Sequence, residues 1–214
     1  MKKLLTVLLA VLIVFTLVSC SNNDNETQNE MKEPETQEET SQETASGKET
    51  ENSESKILIV YFSWSNNTEV IANYIHDEIG GDIERIEPVV AYPDNYNDTA
   101  DYAKAERDND ARPEFKPLQH DPTDYDVVFI GYPIWWYRMP MIMETFFDTY
   151  DFSGITIVPF NTHEGSRDGG TYDMIRDREP NATVLEGLPI RGGNVNDAAS
   201  RKAVTDWLKG LKLE

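Results

Sequence analysis

Cysteine is nearly absent: Cys20 is the only one in 214 residues. No disulfide can close within the chain, no thiolate cluster can hold a metal, and residues 56–214 carry no thiol chemistry. Basic residues are scarce. Nineteen Lys and Arg stand against 39 Asp and Glu, for a formal net charge of −20. Such a chain lacks the basic surface that phosphate backbones require, which argues against nucleic acid as a partner. The three histidines, His76, His120 and His163, do not show the spacing of a metal site. No G-x-S-x-G segment offers a nucleophile elbow, and no G-x-x-x-x-G-K-[ST] loop offers a lysine to a nucleoside triphosphate. Long apolar runs are missing except at residues 4–18, which fall short of the roughly 20 residues that span a bilayer.

That run follows Met1-Lys2-Lys3 and ends in Leu17-Val18-Ser19-Cys20. A basic start and a short apolar stretch are marks of a secretory leader, and the end resembles the lipobox of bacterial lipoproteins. The resemblance implies that residues 1–20 form a signal peptide and that Cys20 receives a diacylglyceryl group and becomes the N-terminus. It implies an exported protein, lipid-anchored to the extracytoplasmic face of the bacterial cell membrane. An ordinary leader with an accidental cysteine is the plainer alternative, but it leaves the position of the sole cysteine unexplained. With Lys2 and Lys3 in place of a twin-arginine pair, the chain is expected to cross unfolded and to acquire any non-covalent ligand outside. Residues 21–55 hold 11 acids against Lys32 and Lys48, a net charge of −9. They are too poor in apolar residues to offset ordering entropy, and predict a disordered acidic tether.

Residues 56–214 suit one domain with one core and carry a net charge of −13. Residues 56–62 form a continuous apolar run, as a strand buried on both faces does. Val70, Ile71, Tyr74, Ile75 and Ile79 then recur at helical spacing until Gly80-Gly81. Further strands are expected at 82–88, 126–132, 154–160 and 182–185. Helices are expected at 98–110, 139–150, 170–176 and 196–211, the first of these polar and therefore a surface helix. Strands alternating with helices predict an α/β fold on a parallel sheet. In such sheets ligands bind beyond the carboxyl ends of the strands, so three loops become candidates.

Ser63-Trp64-Ser65-Asn66-Asn67-Thr68 opens a helix, where hydroxyls and backbone N–H groups make an anion site without a basic residue. An ordinary capping turn would use the same residues, and the Asn66-Asn67-Thr68 sequon is taken as chance. Pro133-Ile134-Trp135-Trp136-Tyr137 places two tryptophans in a loop, where at least one needs an apolar partner and could stack on a planar ring. One of them buried under the next helix would be the structural alternative. Thr162-His163-Glu164-Gly165 could hold acid–base groups or be a polar turn; a hydrolase built on His163 and Glu164 lacks a nucleophile.

Taken together, the loops resemble those of the flavodoxin family, across the whole of 56–214. The resemblance implies a three-layer fold, a five-stranded parallel sheet of order 2-1-3-4-5 with helices on both faces. It implies FMN as cofactor, with Ser63 to Thr68 on the phosphate, Pro133 to Tyr137 beside the isoalloxazine (Trp135 or Trp136 stacking), and Thr162 to Gly165 over the other face or edge. Two residues depart from the family pattern: Asn66 and Tyr137 stand where glycine is usual. Asparagine is the best substitute at positive φ. At the flip position, tyrosine would hinder the peptide flip that, in classical flavodoxins, favours one-electron reduced flavin. The expected function is electron transfer, or an FMN-dependent oxidoreductase acting on NAD(P)H or a quinone-like acceptor, with an unidentified redox partner. A cofactor-free binding lipoprotein of the same fold is the alternative.

Overall fold

Ile57–Tyr61 forms strand β1 in the computed structural model, which describes residues 55–213. Cys20, the leader and the tether as far as Glu54 lie outside the described residues. Leu58 and Val60 face one side of β1, Ile59 and Tyr61 the other, and all four are buried. A strand apolar on both faces needs a layer on each. After it come α1 (Asn67–Ile79), β2 (Asp82–Arg85), α2 (Tyr96–Asp108), β3 (Val127–Pro133) and α3 (Met141–Thr149). The second half adds β4 (Thr156–His163), α4 (Thr171–Arg178), β5 (Thr183–Val184), β6 (Leu188–Arg191) and α5 (Ala198–Gly210).

The sheet is parallel, in the order β2-β1-β3-β4-β5, with β6 beside β4. Ile71 and Ile75 of α1 and Val204 and Leu208 of α5 pack on one face with Ile59, Phe129 and Val158. Phe146 of α3 and Ile175 of α4 pack on the other with Val60, Ile130 and Ile157, and α2 lies against α3. Three layers result. Gly131 is required in the middle of β3: it sits opposite Phe160, whose ring would lie 2.2 Å from an added Cβ.

The sequence predicts five strands, and the sheet has six. Two short strands share the fifth position, β5 beside Thr156 and Ile157 and β6 beside Phe160 to His163. Between them on β4 stands Pro159. Thr156 N–H donates toward β3, to Asp126 O, whereas Ile157 O accepts from Leu185 on the β5 side. Strand residues alternate sides, so Pro159 faces the β5 edge with no N–H to give. The ladder breaks there and resumes as β6.

The expected second strand, 82–88, stops at Arg85, and Pro88 instead makes an antiparallel bridge to Phe115. The polar helix begins at Tyr96, because Asn95 caps it by accepting from Asp98 N at 3.0 Å. With β1 between β2 and β3, the chain reverses direction across the sheet at β1. The crevice beyond the carboxyl ends of β1 and β3 is then the place where such sheets hold ligands. That rule was framed partly on flavodoxins, so it locates a site without identifying a family.

Candidate functional site

The loop after β1 turns sharply into α1. Asn66 adopts φ 64° and stands at the N-cap, yet its side chain makes no capping hydrogen bond. The first N–H groups of α1 therefore lack the cap that asparagine normally supplies. Ser63 and Thr68 are buried and Ser65 and Asn66 are exposed. Thr68 does not point its hydroxyl freely outward: its Oγ1 lies 2.9 Å from Thr162 Oγ1, a buried hydrogen bond joining this loop to the end of β4. Trp64 donates from Nε1 to Pro93 O at 2.9 Å, and Thr99 Oγ1 donates to the same carbonyl at 2.6 Å.

Arg85, at the end of β2, is a residue that sequence reasoning missed. It donates to Ser63 O and to Asn66 Oδ1 (3.3 Å), and it pairs with Glu69 Oε2 at 3.4 Å. Tyr61 also donates to Glu69, and burial followed by that carboxylate pushes its phenol up to about 12. An acid followed by a polar strand end carries no motif, so only the fold brings Arg85 to the loop.

Pro133 closes β3, and the loop beyond it is a two-residue turn. Trp135 and Arg138 exchange backbone hydrogen bonds of 2.9 and 3.1 Å, with Trp136 (φ 50°) and Tyr137 (φ 64°) at the corner. Both corner residues are left-handed, the arrangement that favours Asn-Gly. The two tryptophans divide their work. Trp135 packs edge-on against Phe62 (5.5 Å) and Tyr92 (5.1 Å). Trp136 is exposed, held to α2 by Nε1 donating to Ala100 O at 2.8 Å, with Arg107 5.4 Å from its ring centre. The far side of the turn is anchored by Arg138, which donates to the buried Glu144 at 2.5 Å, as Arg178 also does.

Thr162 and His163 belong to β4 itself, and Glu164 and Gly165 follow. His163 Nδ1 is buried without a partner. Burial, then Arg167 and Arg191, holds its imidazole below the ordinary histidine range. A ring held neutral is a poor ion-pair partner.

Between these loops lies a cleft of ≈ 460 Å³, within the roughly 300–1,000 Å³ of small-molecule sites. Of the expected residues, Trp64, Ile134, Trp135, Trp136 and Tyr137 line it, with Glu164 and Gly165 opposite. Tyr96, Thr99, Ala100 and Ala103 of α2 and Ser166 complete the wall, and the sequence did not single them out. Ser63, Ser65, Asn66, Asn67, Thr68, Pro133, Thr162 and His163 lie outside that lining, in the flanking loop, the first turn of α1 and the ends of β3 and β4. Among the described residues, no group of three or more His, Cys, Asp or Glu is placed to hold a metal, and no helix is long and apolar enough to cross a membrane. The arrangement suits a ligand with an anionic end and a flat apolar body.

The sequence model of the family described as Flavodoxin matches residues 56–211. A flavoprotein structure from Bacteroides eggerthii is similar at 32% identity, with 74% of this chain and 100% of that one covered and a TM-score of 0.64. One from Bacteroides uniformis is 28% identical over 72% of this chain and 98% of its own, with a TM-score of 0.63. A Lactobacillus acidophilus flavoprotein solved in complex with FMN shares the fold at 19% identity, covering 68% of this chain and 99% of its own, with a TM-score of 0.54. Among curated proteins, none matches the chain.

Proposed function

The chain belongs to the flavodoxin family, and on that premise we propose that it binds FMN and works as an electron carrier or flavin-dependent oxidoreductase. The observation that carries this reading is the junction of an uncapped helix N-terminus with an aromatic-walled cleft, which Trp64 lines from the loop that leads into the helix. The donors fit the group. N–H groups at the start of α1 and the hydroxyl of Ser65 suit a phosphate. Trp64, Trp135 and Trp136 suit a planar ring.

Bound flavin would supply the electron chemistry, and the protein would supply position and electrostatics. Trp135, wedged by Phe62 and Tyr92, sets one wall of the cleft rigidly. Trp136, tied to α2, keeps water from its mouth. Glu164 places a carboxylate in the lining, which disfavours added negative charge on whatever occupies the cleft. Asn66 and Tyr137 both adopt the left-handed φ that glycine usually supplies at such positions.

Titrating the purified chain with FMN, followed by tryptophan quenching and the visible spectrum, tests the assignment. Stoichiometric uptake is expected, and failure to bind FMN would sink it. The Cys20 anchor on the extracytoplasmic face is part of the same proposal, and rests on the residues at the leader's end. Metabolic labelling with a fatty acid should mark the wild type and not Cys20→Ala; an unlabelled wild type refutes the anchor alone.

A further inference from the structure

We infer that Arg85 is a positioning residue for the phosphate of the flavin, selecting FMN over its unphosphorylated form by keeping acceptors away from the anion. The inference rests on the FMN reading and deepens it.

An anion site must present donors and withhold acceptors. The loop after β1 contains three groups that would repel a phosphate: the Ser63 carbonyl, the Asn66 side-chain oxygen, and the Glu69 carboxylate in the first turn of α1. Arg85 takes all three, donating to Ser63 O, to Asn66 Oδ1 at 3.3 Å and to Glu69 at 3.4 Å. A guanidinium fork can hold several acceptors at once in fixed directions, which an ammonium cannot.

The pair with Glu69 carries the sharpest consequence. Asn66 stands at φ 64° and ψ 3°, not in the extended geometry from which a side chain caps a helix, so the first N–H groups of α1 stay available to a ligand. Glu69 lies in that same first turn, where its carboxylate repels an anion. Arg85 compensates that charge at 3.4 Å while its guanidinium also holds Asn66 Oδ1 at 3.3 Å. Without the guanidinium the Glu69 charge goes uncompensated. Arg85 thus acts without touching the ligand, chiefly through Glu69.

The test compares FMN with riboflavin, which has the same ring and no phosphate, on the full chain freed of flavin. Arg85→Ala should bind FMN at least roughly tenfold more weakly, the loss expected for hydrogen bonds to a charged group. Riboflavin affinity should not change, which also reports that the cleft is folded. Adding Glu69→Gln should restore part of the FMN affinity, because the neutral amide removes the charge that Arg85 compensates. Should the alanine variant not fold, Arg85→Lys carries the same comparison with an intermediate loss. Equal FMN affinity in wild type and variant, equal loss of both flavins, or no rescue by Glu69→Gln each overturns the role of Arg85. A wild type that binds riboflavin and FMN alike overturns it too, but leaves the flavin reading standing. A wild type that takes up neither removes both.

Discussion

Tyr137 occupies a backbone position that its side chain opposes, and the strain can be measured by comparing two substitutions. At φ 64° the Cβ crowds its own carbonyl, at a cost of roughly 1–2 kcal/mol for an L-residue. The ring returns little of that, because Tyr137 is 75% exposed. Tyr137→Ala deletes the ring and keeps the Cβ. Tyr137→Gly deletes both, and offsets part of its gain by about 0.5–1 kcal/mol of chain entropy. Glycine should therefore exceed alanine in stability by roughly 1 kcal/mol, reversing the usual order, or about 2–4 °C in Tm for a domain of this size. Urea unfolding with an unchanged m-value is the assay. The same pair reads the site, since both variants lack the ring and any difference in FMN affinity comes from the backbone. An alanine variant as stable as the glycine variant would refute strain at this corner.

Two further outcomes follow from buried polar groups. Glu106 is buried beneath Tyr92, and burial raises its carboxyl to about 7 against the opposing pull of the Tyr92 hydrogen bond. A raised folded pKa means stability present in full below the ordinary glutamate range and lost as pH climbs toward 7, by order of 3 kcal/mol. Glu106→Gln should flatten that fall between pH 5 and 8, and parallel pH profiles for both proteins would show that Glu106 is not responsible. Thr162→Val strands the buried Thr68 hydroxyl 2.9 Å away, with an expected loss of about 1–3 kcal/mol; the double variant Thr68→Val, Thr162→Val should recover part of it, and strict additivity would deny the coupling.

Helices and strands with a plain apolar period were legible from the chain, and the failures have physical causes. The periodicity of Val70, Ile71 and Ile75 with the Gly80-Gly81 stop gives α1 the limits that the structure has, Asn67–Ile79. The split of the fifth strand was not visible, since Pro159 in an apolar run reads as a strand residue wherever its missing N–H points. Only the alternation of hydrogen bonds to β3 and β5 shows that the gap faces the edge. Strand β6, Leu188–Arg191, is four residues interrupted by Pro189, too short to be periodic. It owes its place to the unpaired end of β4.

The cleft is lined both by residues that the sequence placed in loops after strands and by residues of α2 that only packing delivers. The tandem tryptophans announce a flat apolar partner, but nothing in their order says that Trp135 packs against the edge of the core beside Phe62 while Trp136 is pinned to α2. That division requires both corner residues of the turn to be left-handed, because the two-residue reversal carries successive rings to different neighbours. The wall from Tyr96 to Ala103 was hidden for a related reason. A polar helix reads as solvent-facing, yet Ala100 and Ala103 are small enough to leave the cleft open where α2 crosses it. The hydroxyl-rich loop before α1 suggested an anion site made of backbone and hydroxyl groups without a basic residue. The structure adds a cation that the loop's own residues could not reveal: Glu69, at the helix start, pairs with Arg85 of the neighbouring strand at 3.4 Å.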